Sequence, residues 1–102
     1  MNDRALSEME TQDLLLNFFR AIETDSRIST THIAIYAAVI QYYHAHGCIN
    51  PIYAFSHELM EIAKISGHAT YHNGIRALSE YGYLDYEPSF KRNKGSKISL
   101  RL

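Results

Sequence analysis

Ser66-Gly67-His68-Ala69-Thr70-Tyr71-His72-Asn73-Gly74-Ile75-Arg76-Ala77-Leu78-Ser79-Glu80-Tyr81-Gly82-Tyr83-Leu84 is the stretch on which the reading of this chain turns. Tyr71, Ile75 and Leu78 fall at i, i+4 and i+7, so a helix here turns one apolar stripe toward a core. His68, Thr70, Asn73, Arg76 and Ala77 are left on other faces. Gly82 offers the left-handed stop that ends such a helix, predicted from His68 to about Tyr81. Tyr83-Leu84-Asp85-Tyr86-Glu87 then alternates as a strand does, until Pro88 stops it. Helix and strand follow each other with almost no connection.

Downstream, Ser96-Lys97-Ile98-Ser99-Leu100-Arg101-Leu102 alternates again, polar then apolar, and pairs with the first strand as a hairpin. The loop between them, Ser89-Phe90-Lys91-Arg92-Asn93-Lys94-Gly95, is basic and closed by glycine. Lys91, Arg92, Lys94 and Lys97 set four positive charges within seven residues, read as unopposed by any acid. Phe90 is expected to lie packed beneath the hairpin, with contact to a sugar as the lesser alternative. Upstream, Ser56 is the expected cap of a short helix with Leu59, Ile62 and Ala63 inward and Glu58 near its positive end. Asn50-Pro51 reads as a turn and Ile52-Tyr53-Ala54-Phe55 as a short extended segment. A longer helix starts at Ser29-Thr30-Thr31 and stops near His46-Gly47. Its apolar residues, Ile33 to Ile40 with Tyr36, Tyr42 and Tyr43, cover most of the circumference, which places it centrally. Ahead of it, Ser7-Glu8-Met9-Glu10 has the capping-box spacing, with residues 1–6 expected to fray. Leu15, Phe18, Phe19 and Ile22 make that first helix's apolar stripe, widened by Leu14 and Leu16.

The order helix, helix, short strand, helix, helix, strand, basic loop, strand resembles the winged helix-turn-helix family of DNA-binding domains, with an extra helix in front. The carrying residues are those quoted at the outset. They hold a small polar cap, a threonine four residues later, inward apolar positions, and Leu78-Ser79-Glu80-Tyr81-Gly82-Tyr83-Leu84 at the end. The likeness spans about residues 29–102 and is generic in its first helix. It is similar also to small stand-alone winged-helix proteins of bacterial mobile elements and to the amino-terminal domain of DnaD-like replication initiators. The fold class expected is mainly α (α+β), with residues 1–28 as a dimerisation or core-covering element before the winged helix.

The resemblance implies that the helix from His68 reads bases and that the hairpin holds phosphates. Gly67, His68, Thr70, Asn73 and Arg76 are the expected base-reading positions. A short polar surface can approach base edges in a major groove about 12 Å wide. Asn73 suits adenine, and Arg76 guanine or a phosphate. Lys91, Arg92, Lys94 and Lys97 are the expected phosphate contacts, with Lys64 as a further candidate. The competing reading of the same residues is a solvated helix face and a solvated charged turn.

Charge agrees with a one-sided contact. Residues 1–63 hold three basic side chains against eight acidic ones, and residues 64–102 hold seven against three, so a net charge of −1 conceals a basic end on an acidic body. At 102 residues the chain has length for one core. No stretch approaches the roughly 20 apolar residues of a membrane span. The first residues do not read as a signal peptide, and a single cysteine, Cys48, excludes an internal disulfide. The expected location is the cytoplasm, at the nucleoid. Six histidines raise the question of metal, since His44, His46 and Cys48 lie close and His68 and His72 share a helix face, but four ligands cannot be assembled. No metal, cofactor or small-molecule ligand is expected. Phosphate loops, nucleophile elbows and zinc-protease spacings are missing, so no enzyme is expected either. The eight tyrosines read as core residues with hydroxyls at the rim, with Tyr36, Tyr43, Tyr71 and Tyr83 facing inward.

A minimal winged helix does not need residues 7–23. The surplus apolar surface there predicts a homodimer through Leu15, Phe18, Phe19 and Ile22, against the simpler possibility that this helix covers its own core. The function expected is sequence-specific double-stranded DNA binding by a bacterial transcriptional regulator. Its rivals are a replication-initiation or excision accessory protein of a mobile element, and a winged-helix protein-interaction module that never touches DNA.

Overall fold

The computed structural model describes the backbone of residues 3–102 and the side chains of residues 10–102. Along it run α1 (Asp3–Ile22), α2 (Thr30–Ala45), β1 (Ile52–Ala54), α3 (Ser56–Ala63), α4 (His68–Glu80), β2 (Leu84–Glu87) and β3 (Ser96–Leu100). This is an α+β architecture. α2 is its axis and packs against α1, α3 and α4. Ile35, Tyr36, Ala38, Val39, Ile40, Tyr42 and Tyr43 of α2 are all buried, as a helix apolar nearly all round requires.

The strands form one antiparallel sheet in the order β1-β3-β2. Its register pairs Ile52 with Ile98 on one side and Leu84 with Leu100 on the other. Ile52, Ala54, Leu84, Ile98 and Leu100 therefore share the buried face, against Leu59, Tyr71, Ile75 and Leu78 of the helices. Tyr53, Lys97, Asp85 and Glu87 stand on the other face, one residue out of phase. Asn50 extends the sheet by a side chain, accepting from Leu100 N–H at 2.8 Å and donating to its carbonyl at 3.0 Å.

Helix ends follow local chemistry. Ser29 is the N-cap of α2, and its N–H donates to His32 Nδ1 at 2.9 Å. Gly47 takes the left-handed conformation after α2 at φ +84°, and Cys48 follows it at φ 57°. Gly82, at φ +88°, ends α4, and Tyr83 N–H reaches back to Leu78 carbonyl at 3.0 Å. α3 stops on Lys64, itself left-handed at φ 63°.

Several expectations are corrected. α1 starts at Asp3 rather than Ser7, because Asp3 suits a helix N-terminus and Arg4, Ala5 and Leu6 are good helix formers. Ser7 thus sits inside the helix; residues 3–6, expected to fray, are helical, and residues 1–2 lie outside the described residues. Phe55, not Ser56, is the N-cap of α3; its N–H donates to Glu58 Oε1 at 3.0 Å. Met60 takes the inward place expected for Ile62, which is exposed. The i, i+1 pair Leu59 and Met60 straddles the α3 face turned to the core, and Ile62 falls outside it.

α1 is fastened by aromatic packing. Phe18 stacks on Tyr36 with ring centroids 3.9 Å apart and meets Tyr83 edge-on at 5.4 Å. Tyr83 is half-buried rather than a core residue, and its hydroxyl donates to Asp25. Asp25 also accepts from Arg27 Nε and Nη2, both at 2.8 Å. The Arg27 guanidinium lies 4.0 Å from the centre of the Tyr81 ring. The α1–α2 loop is thereby tied to the α4–β2 junction. Among the described residues, no helix is long and apolar enough to cross a membrane.

Candidate nucleic-acid interface

α4 presents two faces. Tyr71, Ile75 and Leu78 are buried, and Gly74 is buried where α4 crosses α2. An added Cβ at Gly74 would stand 2.4 Å from Ile35 Cδ1, so a larger residue here would force the buried Ile35 side chain to shift. His68, Thr70, Asn73 and Arg76 are exposed, and Gly67, the exposed N-cap, precedes them. With Gly67 at the N-cap, α4 has no side-chain capping hydrogen bond among the described residues.

The β2–β3 loop is held at its base. Ser89 N–H donates to Ser96 Oγ at 3.3 Å, and Lys91 N–H to Ser89 Oγ at 3.3 Å. Lys94 N–H closes a turn on Lys91 carbonyl at 3.3 Å. At Gly95 a Cβ would come within 2.8 Å of Ala54 backbone atoms, so glycine lets the start of β3 cross close to β1. Beyond this base, Lys91, Arg92 and Lys94 are exposed.

Helix and loop meet. His72 and Arg76 of α4 share a groove of about 300 Å³ with Lys91, Arg92 and Lys94. Among the described residues, no carboxylate lies within ion-pair distance of Arg76, Lys91, Arg92 or Lys94. Lys97 departs from the expectation of an unopposed charge: its Nζ lies 4.0 Å from Glu87 Oε2, its cross-strand partner. Strand register makes this pair, and the interval of ten residues between them conceals it in the sequence. Lys64 is exposed but lines neither groove beside the loop.

Two more residues belong to this surface: His72, to which the sequence reading gives no part in it, and Phe90, for which it holds contact with a sugar only as the lesser alternative. His72 lies between His68 and Arg76 at four-residue steps, so the three form one line along α4. Its Nδ1 sits 2.8 Å from His68 carbonyl, and its ring meets buried Tyr71 edge-on at 5.2 Å. Phe90 is the larger correction. Expected beneath the hairpin, it is 96% exposed and lines the groove with Arg76 and a second one on the other side of the loop. The hairpin's inner face is already filled by Ile98, Leu100 and Tyr86, and the residues after Pro88 leave the sheet.

The expected dimer residues divide. Phe18 is buried in its own protomer, Leu15 and Ile22 are half-buried, and Phe19 is exposed. Leu16, with 55% exposure, stands beside them. Leu15 also lines an apolar groove between α1, α2 and α3 with Ala34, Ala37, Ala38, Ile40 and Ile62. Of the helix-end histidines, His46 Nδ1 lies 2.8 Å from Tyr42 carbonyl, while His44 Nδ1 lies 3.1 Å from Thr11 Oγ1 instead. Among the described residues, no three His, Cys, Asp or Glu side chains gather as a metal site would require. No family model, curated protein or solved structure matches this chain.

Proposed function

We propose that this protein binds double-stranded DNA through a winged helix-turn-helix, with α3 and α4 as the helix-turn-helix and the β2–β3 hairpin as the wing. One observation carries the reading: Arg76 on α4 and Lys91, Arg92 and Lys94 of the loop flank one groove, and none has an acidic partner among the described residues. A helix face and a cationic loop on one surface can meet a major groove and its flanking phosphates together. Gly67, His68, Thr70 and Asn73, all exposed, are the positions that approach base edges. Sequence-specific occupancy of a site, and hence regulation of transcription, is the role proposed.

The test is electrostatic. Arg76, Lys91, Arg92 and Lys94 neutralise about four phosphates per protomer, which sets a log–log salt slope near −4. Affinity for a random duplex then falls by roughly two orders of magnitude between about 50 and 200 mM salt. Reversing the charge of Lys91, Arg92 and Lys94 together removes most of that slope. Failure to bind duplex at either salt concentration overturns the reading. It would favour instead a protein-interaction module working through Leu16, Phe19 and Ile62, which are exposed apolar side chains.

A further inference from the structure

Phe90 is the most exposed large apolar side chain among the described residues, with 96% of its surface open. Leaving a phenylalanine in water forgoes the burial that normally places it in a core. It also stands at an unusual place. It projects from the loop between two grooves, one lined by Arg76 and the other by Tyr53, Glu87 and Lys97, the last two an ion pair. Lys91, Arg92 and Lys94 follow it immediately, and residues 88–95 contain no acid. Tyr53, half exposed on the outer sheet face, has Lys94 Nζ 6.0 Å from its ring centre. An aromatic ring followed at once by Lys91, Arg92 and Lys94 is poorly matched to an apolar protein groove. It is well matched to a base stack lined by phosphates, where the charges hold the backbone and the ring meets a π-face.

We propose that Phe90 is a wedge that enters the duplex from the minor groove and unstacks one base step, kinking the DNA on which the loop's cations sit. This rests on the DNA-binding reading above and adds a deformation to it. A wedge acts through stacking rather than charge, so its removal weakens binding without changing the salt slope. It also favours steps that unstack readily, pyrimidine–purine steps above all.

The chain has no tryptophan, so Phe90→Trp introduces a single fluorescent reporter at the proposed contact. Full-length protein is titrated with random duplex at low salt, and emission, affinity and the end-to-end distance of a dye-labelled duplex are followed. Stacking quenches the Phe90→Trp emission. Phe90→Ala binds roughly 5- to 100-fold more weakly with an unchanged salt slope, and leaves the duplex ends as far apart as in free DNA. Because the side chain touches solvent, circular dichroism of both variants should match the native protein. If the native protein binds duplex while Phe90→Ala matches it in affinity and bending, or if Phe90→Trp emission is unmoved on saturation, the wedge is overturned and the DNA reading stands. If the native protein binds no duplex, both fall.

Discussion

At the level of single residues, the chain uses glycine where elements come close, backbone to backbone at Gly95 and backbone to side chain at Gly74. Its place in the middle of α4 runs against helix propensity, by about 1 kcal/mol relative to alanine. The reason is Ile35, fully buried on α2, whose Cδ1 occupies the space a Cβ would need. Gly74→Ala is therefore expected to destabilise the protein, an overpacking penalty of about 1–3 kcal/mol exceeding the gain in propensity. Ile35→Val removes the clashing carbon. In that background Gly74→Ala becomes neutral or stabilising, and the double-mutant cycle yields a coupling of at least about 1 kcal/mol. Urea unfolding of the four proteins measures it, and equal effects of Gly74→Ala in both backgrounds would exclude this account. Positions such as Tyr71, Ile75 and Leu78 were legible from spacing alone, because one helix decides which way they face. Gly74 was not, since its partner lies 39 residues earlier and only the crossing of two helices brings them together.

Between elements, what the sequence states plainly is where each helix and strand lies, and what it omits is who pairs with whom. The strand at Ile52-Tyr53-Ala54 is visible, but its pairing with β3 rather than β2 depends on how the chain returns after α4. The same gap hides the Lys97–Glu87 pair and the exposure of Phe90, both consequences of register and of a filled inner face. It also hides the knot at Asp25, where a loop residue meets Arg27 and, 58 positions on, Tyr83. Hydrogen bonds from Arg27 first, then Tyr83, hold the Asp25 carboxyl well below its ordinary value of 3.8. The folded state thus prefers the charged carboxylate. That preference stabilises the fold fully above the ordinary value and is lost progressively as pH falls below it. Asp25→Asn should lower stability at neutral pH, and its deficit relative to the native protein should shrink in acid. Tyr83→Phe, which removes one donor, should raise the Asp25 titration midpoint toward its ordinary value. Thermal unfolding across acid pH and carboxyl NMR titration give the two measurements; a deficit independent of pH would mean that the charge at Asp25 plays no part.

For the molecule as a whole, the separation of charge is the feature most fully read from sequence, since it needs no fold to be counted. Its arrangement on the surface needs one, and so does the fate of α1. Phe18 fastens that helix to its own protomer by stacking on Tyr36, which accounts for part of the apolar stripe without any partner. Leu16 and Phe19 remain exposed on it, and Ile62 lines the neighbouring groove with alanines of α2. An α1–α1 contact through these side chains leaves α4 and the β2–β3 loop free, because Arg76 and Lys91 line a different groove. In the proposed DNA-binding role, two copies joined this way would double the number of exposed cations offered to one polyanion, offsetting the net charge of −1. The dimer is therefore proposed through Leu16, Phe19 and the adjoining groove rather than through Phe18. Sedimentation of the native protein should give twice the 11.7 kDa chain mass. Leu16→Glu with Phe19→Glu should return the single mass without lowering the unfolding midpoint extrapolated to low concentration. Phe18→Ala should instead cost about 3–5 kcal/mol, because it opens a cavity inside one protomer. A native protein that sediments as a single chain at every concentration would remove the dimer while leaving the α4 and loop surface as it is.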